Sequence, residues 1–190
     1  MANSPWGHID YSTVFAPGFK SVGTSGHGGI MITEKFAEAN LSEAAQEQGE
    51  WYGGYLCYEE DCSYAIPFWE LLEEYGDKMF EHNSPEGDFG TQEKRRSALK
   101  QSLSSWNPEY LLAVGVQPDA EPYAAYRERK LSDKMRAERH PDLITSASRN
   151  GCPKGAVMVT TADRKVHFVT EESYDARMGL NLLSKLTPIS

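Results

Sequence analysis

Three groups of residues in this chain are of types and spacings that could do chemistry. In Ser25-Gly26-His27-Gly28-Gly29 a histidine sits among glycines. Such a loop leaves the ring nitrogens and nearby backbone N–H groups open for general acid or base work or for anion capture. The same glycines also suit a tight turn between two strands, in which His27 has no role of its own. In Glu59-Glu60-Asp61-Cys62, adjacent carboxylates can raise one another's pKa. With His27 as base and Glu60 or Asp61 as acid they would form an acid/base pair, or with all three acids a hard-metal site. Acids just ahead of a helix equally satisfy its N–H groups without catalysis. Cys57 and Cys62 match no zinc spacing, and neither a metal nor another cofactor is expected.

The third group is a column. Glu70, Glu73, Glu74, Asp77 and Glu81 recur at helical spacing beside an apolar stripe of Phe68, Leu71, Leu72, Tyr75 and Met79. Carboxylates one turn apart stand about 5–6 Å from each other, a separation like that of phosphates along a nucleic acid strand. The surrounding composition strengthens the analogy. Residues 1–90 hold 16 acidic residues against three basic ones (Lys20, Lys35, Lys78), whereas residues 91–190 hold 16 basic against 12 acidic. A block so short of counter-ions repels phosphate and attracts cations. The partner expected is therefore the basic groove of a host nucleic-acid-binding complex, met by Glu59, Glu60, Asp61, Glu70, Glu73, Glu74, Asp77 and Glu81. Direct nucleic acid binding is not expected.

The elements that must position these groups read as α+β. An N-terminal antiparallel meander is predicted over Ile9–Phe15, Phe19–Thr24 and Ile30–Ile32, with turns at Ala16-Pro17-Gly18 and the glycine cluster. Thr33 and Ser42 are placed to cap two short acidic helices. Trp51–Tyr58 reads as one strand bent at Gly53-Gly54. The helix bearing the column starts or kinks at Pro67, and a loop over His82–Gly90 marks the change of charge sign. Thr91 caps a basic helix, and a longer one covers Glu121–Glu138. The remainder is a strand at Leu143–Ser148, a hairpin of Ala156–Thr161 with Val166–Thr170, and a helix over Glu171–Met178.

With 39% hydrophobic and 11% aromatic residues in 190, the chain can bury one core, so a single α+β domain over 1–190 is expected. An acidic subdomain 1–90 and a more basic subdomain 91–190 are the alternative. No apolar run nears the roughly 20 residues of a membrane span, and the N-terminus lacks the features of a secretory signal. Three cysteines at irregular spacing suit a reducing compartment. A soluble, cytoplasmic protein is expected, and its oligomeric state is left open.

The ordered set Trp6-Gly7, Ala16-Pro17-Gly18, His27-Gly28-Gly29-Ile30, Trp51-Tyr52, Glu59-Glu60-Asp61-Cys62, Pro153-Lys154-Gly155 and Glu172 with Tyr174-Asp175 resembles an uncharacterised domain found in phages and conjugative plasmids. In that family a serine directly precedes the histidine, where this chain has Gly26 between them. Its Trp-Tyr adjoins the acidic triplet, where here Gly53–Tyr58 intervene. The Gly-Gly turn and Met31 are also similar to plasmid antirestriction proteins. The resemblance implies a mobile-element accessory protein in a bacterial cytoplasm. With the charge imbalance, it leads to the expectation of a counter-defence protein that blocks a host CRISPR effector or restriction enzyme through an acidic, nucleic-acid-mimicking surface. The alternatives are a small hydrolase or transferase using His27 with Glu60 or Asp61, and a virion or assembly component using the aromatic Trp51–Tyr58 segment as an interface.

Overall fold

Alternating apolar residues and three tight turns set the first part of the chain into antiparallel strands. In the computed structural model, which describes residues 3–83, 90–149, 151–176 and 181–189, a small hairpin comes first, β1 (Asn3–Ser4) with β2 (Gly7–His8). The meander follows as β3 (Tyr11–Ala16), β4 (Phe19–Gly23) and β5 (Gly28–Thr33). Gly18 closes the first turn at φ +92°, and a Cβ there would lie 2.5 Å from Thr33 Oγ1. Ile9, placed at the start of a strand from the sequence, instead packs with Trp6 against Val22, Met31 and Cys57.

After α1 (Glu34–Asn40) and α2 (Glu43–Gln46) comes a second hairpin, β6 (Glu50–Tyr52) with β7 (Tyr55–Glu59). The segment expected as one bent strand is thus two strands, because Gly53 and Gly54 both take positive φ (+57° and +82°) and form the two-residue turn that reverses the chain. The sheet order is β3-β4-β5-β7-β6. Of the two helix starts, Ser42 caps as expected, its hydroxyl accepting from the Ala45 N–H at 3.1 Å. Thr33 occupies the N-cap of α1 without a side-chain cap bond.

α3 (Ala65–Asn83) begins two residues before Pro67, which therefore sits in the first turn, where its missing N–H costs nothing. The helix runs through His82 and Asn83, which the sequence assigned to a loop; the rest of that loop, 84–89, lies outside the described residues. α4 (Gln92–Trp106) is capped by Thr91, and α5 (Pro108–Ala113), not anticipated from the sequence, starts directly on its proline. Phe15, Phe19, Ile30, Ile32, Leu56 and Tyr58 on one sheet face form a core with Phe68, Leu72, Met79, Leu99, Leu103 and Leu111 from the helices. Rings dominate it: Phe15 and Phe19 meet at a tilt with centroids 4.8 Å apart, and Phe68 meets both edge-on.

The chain divides into two compact units, Met1–Tyr126 and Arg127–Ser190, the division falling within α6 (Ala120–Arg139). The change of charge sign near residue 90 lies inside the first unit, where α3 and α4 pack on each other. In the second unit β8 (Ile144–Ser148), β9 (Ala156–Thr161) and β10 (Val166–Thr170) form an antiparallel sheet in the order β10-β9-β8. Val157, Val159, Val169 and Leu186 make its core. α7 (Glu171–Asp175) follows, capped by Thr170; the expected end of that helix at Met178 lies outside the described residues. The architecture is α+β, with the N-terminal meander, the central helices and the C-terminal hairpin plus helix that the sequence indicated.

Candidate functional site

One end of the five-stranded sheet collects the first two groups of candidate residues. The turn between β4 and β5 is tied by Thr24, whose hydroxyl donates to the His27 carbonyl at 2.7 Å and accepts from the His27 N–H at 3.1 Å. His27 is thereby held at the tip with its side chain 63% exposed. The two glycines that follow are required by close approach. A Cβ on Gly28 would lie 2.6 Å from a Glu60 carboxylate oxygen and 2.7 Å from the Val22 carbonyl. On Gly29 it would lie 2.2 Å from the Tyr58 carbonyl and 2.4 Å from the Trp6 ring.

β7 delivers the acidic triplet to the same place, since Gly29 pairs with Glu59 and the Glu60 N–H donates to the Gly28 carbonyl at 3.1 Å. One Glu59 oxygen, Oε2, accepts from the Asp61 N–H (2.8 Å), the Cys62 N–H (3.1 Å) and the Cys62 thiol (3.2 Å). The other, Oε1, stands 3.8 Å from His27 Nδ1. His27, Glu59, Glu60 and Asp61 each bring one ligand-type atom to within 4.8 Å of all the others. The sequence left open whether these groups meet; they do. One imidazole nitrogen with three carboxylates is a donor set that suits a first-row divalent ion better than calcium or magnesium. Glu59 would bring to it only Oε1, its second oxygen being committed to the turn.

The cysteines near this corner are not activated nucleophiles. Burial, reinforced by the Glu59 carboxylate that accepts its hydrogen bond, pushes the Cys62 thiol up to about 11. Burial pushes Cys57 up to about 12.

The third group does not survive as an uncompensated column. Glu70 is half-buried and accepts from the Ser42 N–H at 2.7 Å, the Ser42 hydroxyl and the Tyr110 hydroxyl at 2.9 Å, so it joins the start of α2, α3 and α5. Glu73 pairs with Arg96 at 3.5 Å and Asp77 with Arg95 at 2.6 Å. Both guanidiniums also lie over rings, Arg95 on Phe80 and Arg96 on Trp69. Glu74 and Glu81 remain exposed on α3. The row expected from Glu70 to Glu81 is thus interrupted: α3 and α4 pack on each other across the change of charge sign, and Arg95 and Arg96 answer Asp77 and Glu73. Opposite charge on two successive amphipathic helices was the signal in the sequence that pointed to this. Tyr110, whose hydroxyl is pushed up by burial and by Glu70, had no such signal.

The fold and this corner define an α+β protein whose first unit carries an exposed cluster of imidazole and carboxylates. A family model matches residues 1–140, and the chain belongs to that family, Domain of unknown function (DUF7007). The matched stretch contains Trp6, His27-Gly28-Gly29 and Glu59–Cys62; Pro153-Lys154-Gly155, Glu172 and Tyr174-Asp175 lie beyond it. No curated protein and no solved structure matches the chain. Among the described residues, no helix is long and apolar enough to cross a membrane.

Proposed function

We propose that the protein is a binding module of the counter-defence type, made by a phage or other mobile element and acting in the host cytoplasm, that occupies a cationic site on a host nucleic-acid-processing complex such as a CRISPR effector or restriction enzyme. The observation that carries it is the charge of the first 90 residues, 16 acidic against three basic. The contact surface assigned is narrower than the sequence suggested: Glu60 and Asp61, both exposed. Glu70 is set aside because it joins three elements, and Glu73 and Asp77 because Arg96 and Arg95 answer their charge. The corner suits recognition better than turnover, since its groups stand in water, where electrostatic stabilisation of a transition state is weak, whereas exposed carboxylates steer cationic partners well.

The test is affinity capture from a bacterial lysate at about 50 mM and about 500 mM salt, where screening lengths differ about threefold. A nucleic-acid-processing complex captured at low salt and released at high salt is the expected result. Glu60→Lys with Asp61→Lys should lose it; the same complex retained by that variant would refute the proposal.

A second reading is favoured by one distance, the 3.8 Å between His27 Nδ1 and Glu59 Oε1. It is a small hydrolase or transferase with His27 as base, oriented by Glu59, and Glu60 or Asp61 as acid or metal ligand. His27→Ala separates the two, because it removes turnover while leaving salt-sensitive capture in place.

A further inference from the structure

Among the described residues, β6 is an edge of the five-stranded sheet, paired with β7 on one side only. All three of its residues are exposed, Trp51 at 51% and Tyr52 at 40%. Neither ring belongs to the apolar clusters of the first unit. In a hairpin closed by two residues, the pair flanking the turn exchanges ladder hydrogen bonds and the next pair does not. Tyr52 lies opposite Tyr55, and Trp51 opposite Leu56. The N–H and C=O of Trp51 therefore turn toward the open edge, where an added strand would take them up.

The side chains say what that strand should carry. Lys20 Nζ stands 4.8 Å from the centroid of Tyr55, so one ring of this hairpin already seats a cation on its face. Glu50 is exposed at the start of β6 opposite Cys57, and Glu59 follows two residues along β7 on the same side. A guanidinium is flat and weakly hydrated, stacks on an aromatic face and still gives N–H groups to a carboxylate, which an ammonium does less well. Trp51 and Tyr52 point to opposite faces, so neighbouring residues of an added strand would meet one ring each.

We infer that the open edge of β6 docks an extended, arginine-bearing segment of a partner protein, which adds to the sheet beside Trp51 and stacks one guanidinium on Trp51 and another, on the face that carries Glu50, on Tyr52. A phosphate backbone is disfavoured there by the acids of the same unit. The inference rests on the first unit being a module for cationic proteins, but it uses residues outside the His27 corner.

The experiment titrates the full chain, at about 50 mM salt, with a short threonine peptide carrying paired arginines, its lysine counterpart and its glutamate counterpart, read by calorimetry. The arginine peptide should bind, the lysine peptide more weakly, and the glutamate peptide not at all. Trp51→Ala and Tyr52→Ala should each weaken the arginine peptide about 2- to 5-fold, and Trp51→Phe should recover part of the loss. Glu74→Gln, exposed on α3, should leave it within about twofold, and the corner variant, Glu60→Gln with Asp61→Asn, is measured beside it. Equal binding of arginine and lysine peptides, or no change in Trp51→Ala and Trp51→Phe with the fold intact, would overturn the edge site. Binding lost in the corner variant but kept in Trp51→Ala would overturn it too, while leaving the corner as the docking surface.

Discussion

Replacing Glu70 by alanine separates a structural carboxylate from a functional one. The side chain accepts three hydrogen bonds, two from Ser42 and one from Tyr110. Tyr110 is only 1% exposed, so its hydroxyl loses its partner where water does not replace it, at a cost of about 1–3 kcal/mol. Ser42 is exposed and its donors are rehydrated, which leaves about 0.5–1 kcal/mol for the loosened start of α2. Together the loss is about 1.5–4 kcal/mol, and at a slope of about 2 kcal/mol per M the urea midpoint falls by about 0.8–2 M. Tryptophan fluorescence reads this cleanly, because all four tryptophans (Trp6, Trp51, Trp69, Trp106) belong to the first unit. Glu74→Ala, exposed on the same helix, should stay within about 0.5 kcal/mol of the unsubstituted protein. If Glu70→Ala behaves like Glu74→Ala, Glu70 is not holding three elements together, and the α3 column returns as a candidate contact surface. The same magnitude warns against Glu70→Lys in a binding assay, where lost binding would report lost folding.

Two further outcomes follow from titration. Cys62, pushed up to about 11 from a usual value near 9, should react with iodoacetamide at neutral pH about 10-fold more slowly than a free thiol, the scarcity of its thiolate being partly offset by greater nucleophilicity; Glu59→Gln should speed it, and a Cys62 as reactive as a small thiol and unchanged by Glu59→Gln would refute the Glu59 contact. Asp163 is lowered to about 2 by its hydrogen bonds from Lys165 and then from Thr161. Because its folded value lies below its unfolded one, it stabilises the second unit above about pH 4 and loses that contribution as pH falls toward 2; carboxyl NMR should find its midpoint near 2, and a midpoint in the ordinary carboxylate range would refute the pairing.

Local sequence was enough for the elements whose signal is local. The hairpin Ala156–Thr161 with Val166–Thr170, the meander turns and the caps at Ser42 and Thr91 were legible because turn geometry and capping are decided within a few residues. The stripe from Phe68 to Met79 gave α3 for the same reason, as period alone fixes which side is buried. Composition likewise determined that the leading part of the chain is acidic and the trailing part basic.

What charge does depends on what stands across from it, and that only the tertiary structure decided. Glu70 looked like its neighbours in the sequence, yet Tyr110, forty residues on, makes it part of the frame. Arg95 and Arg96 answer Asp77 and Glu73 only because α4 folds back along α3. By the same folding Gly28 and Gly29, which read simply as turn residues, become the places where Glu60 and Trp6 can approach β5. Coulomb attraction and close packing fall off within a few ångströms, so they act between residues near in space, and the order of residues along the chain does not record that nearness.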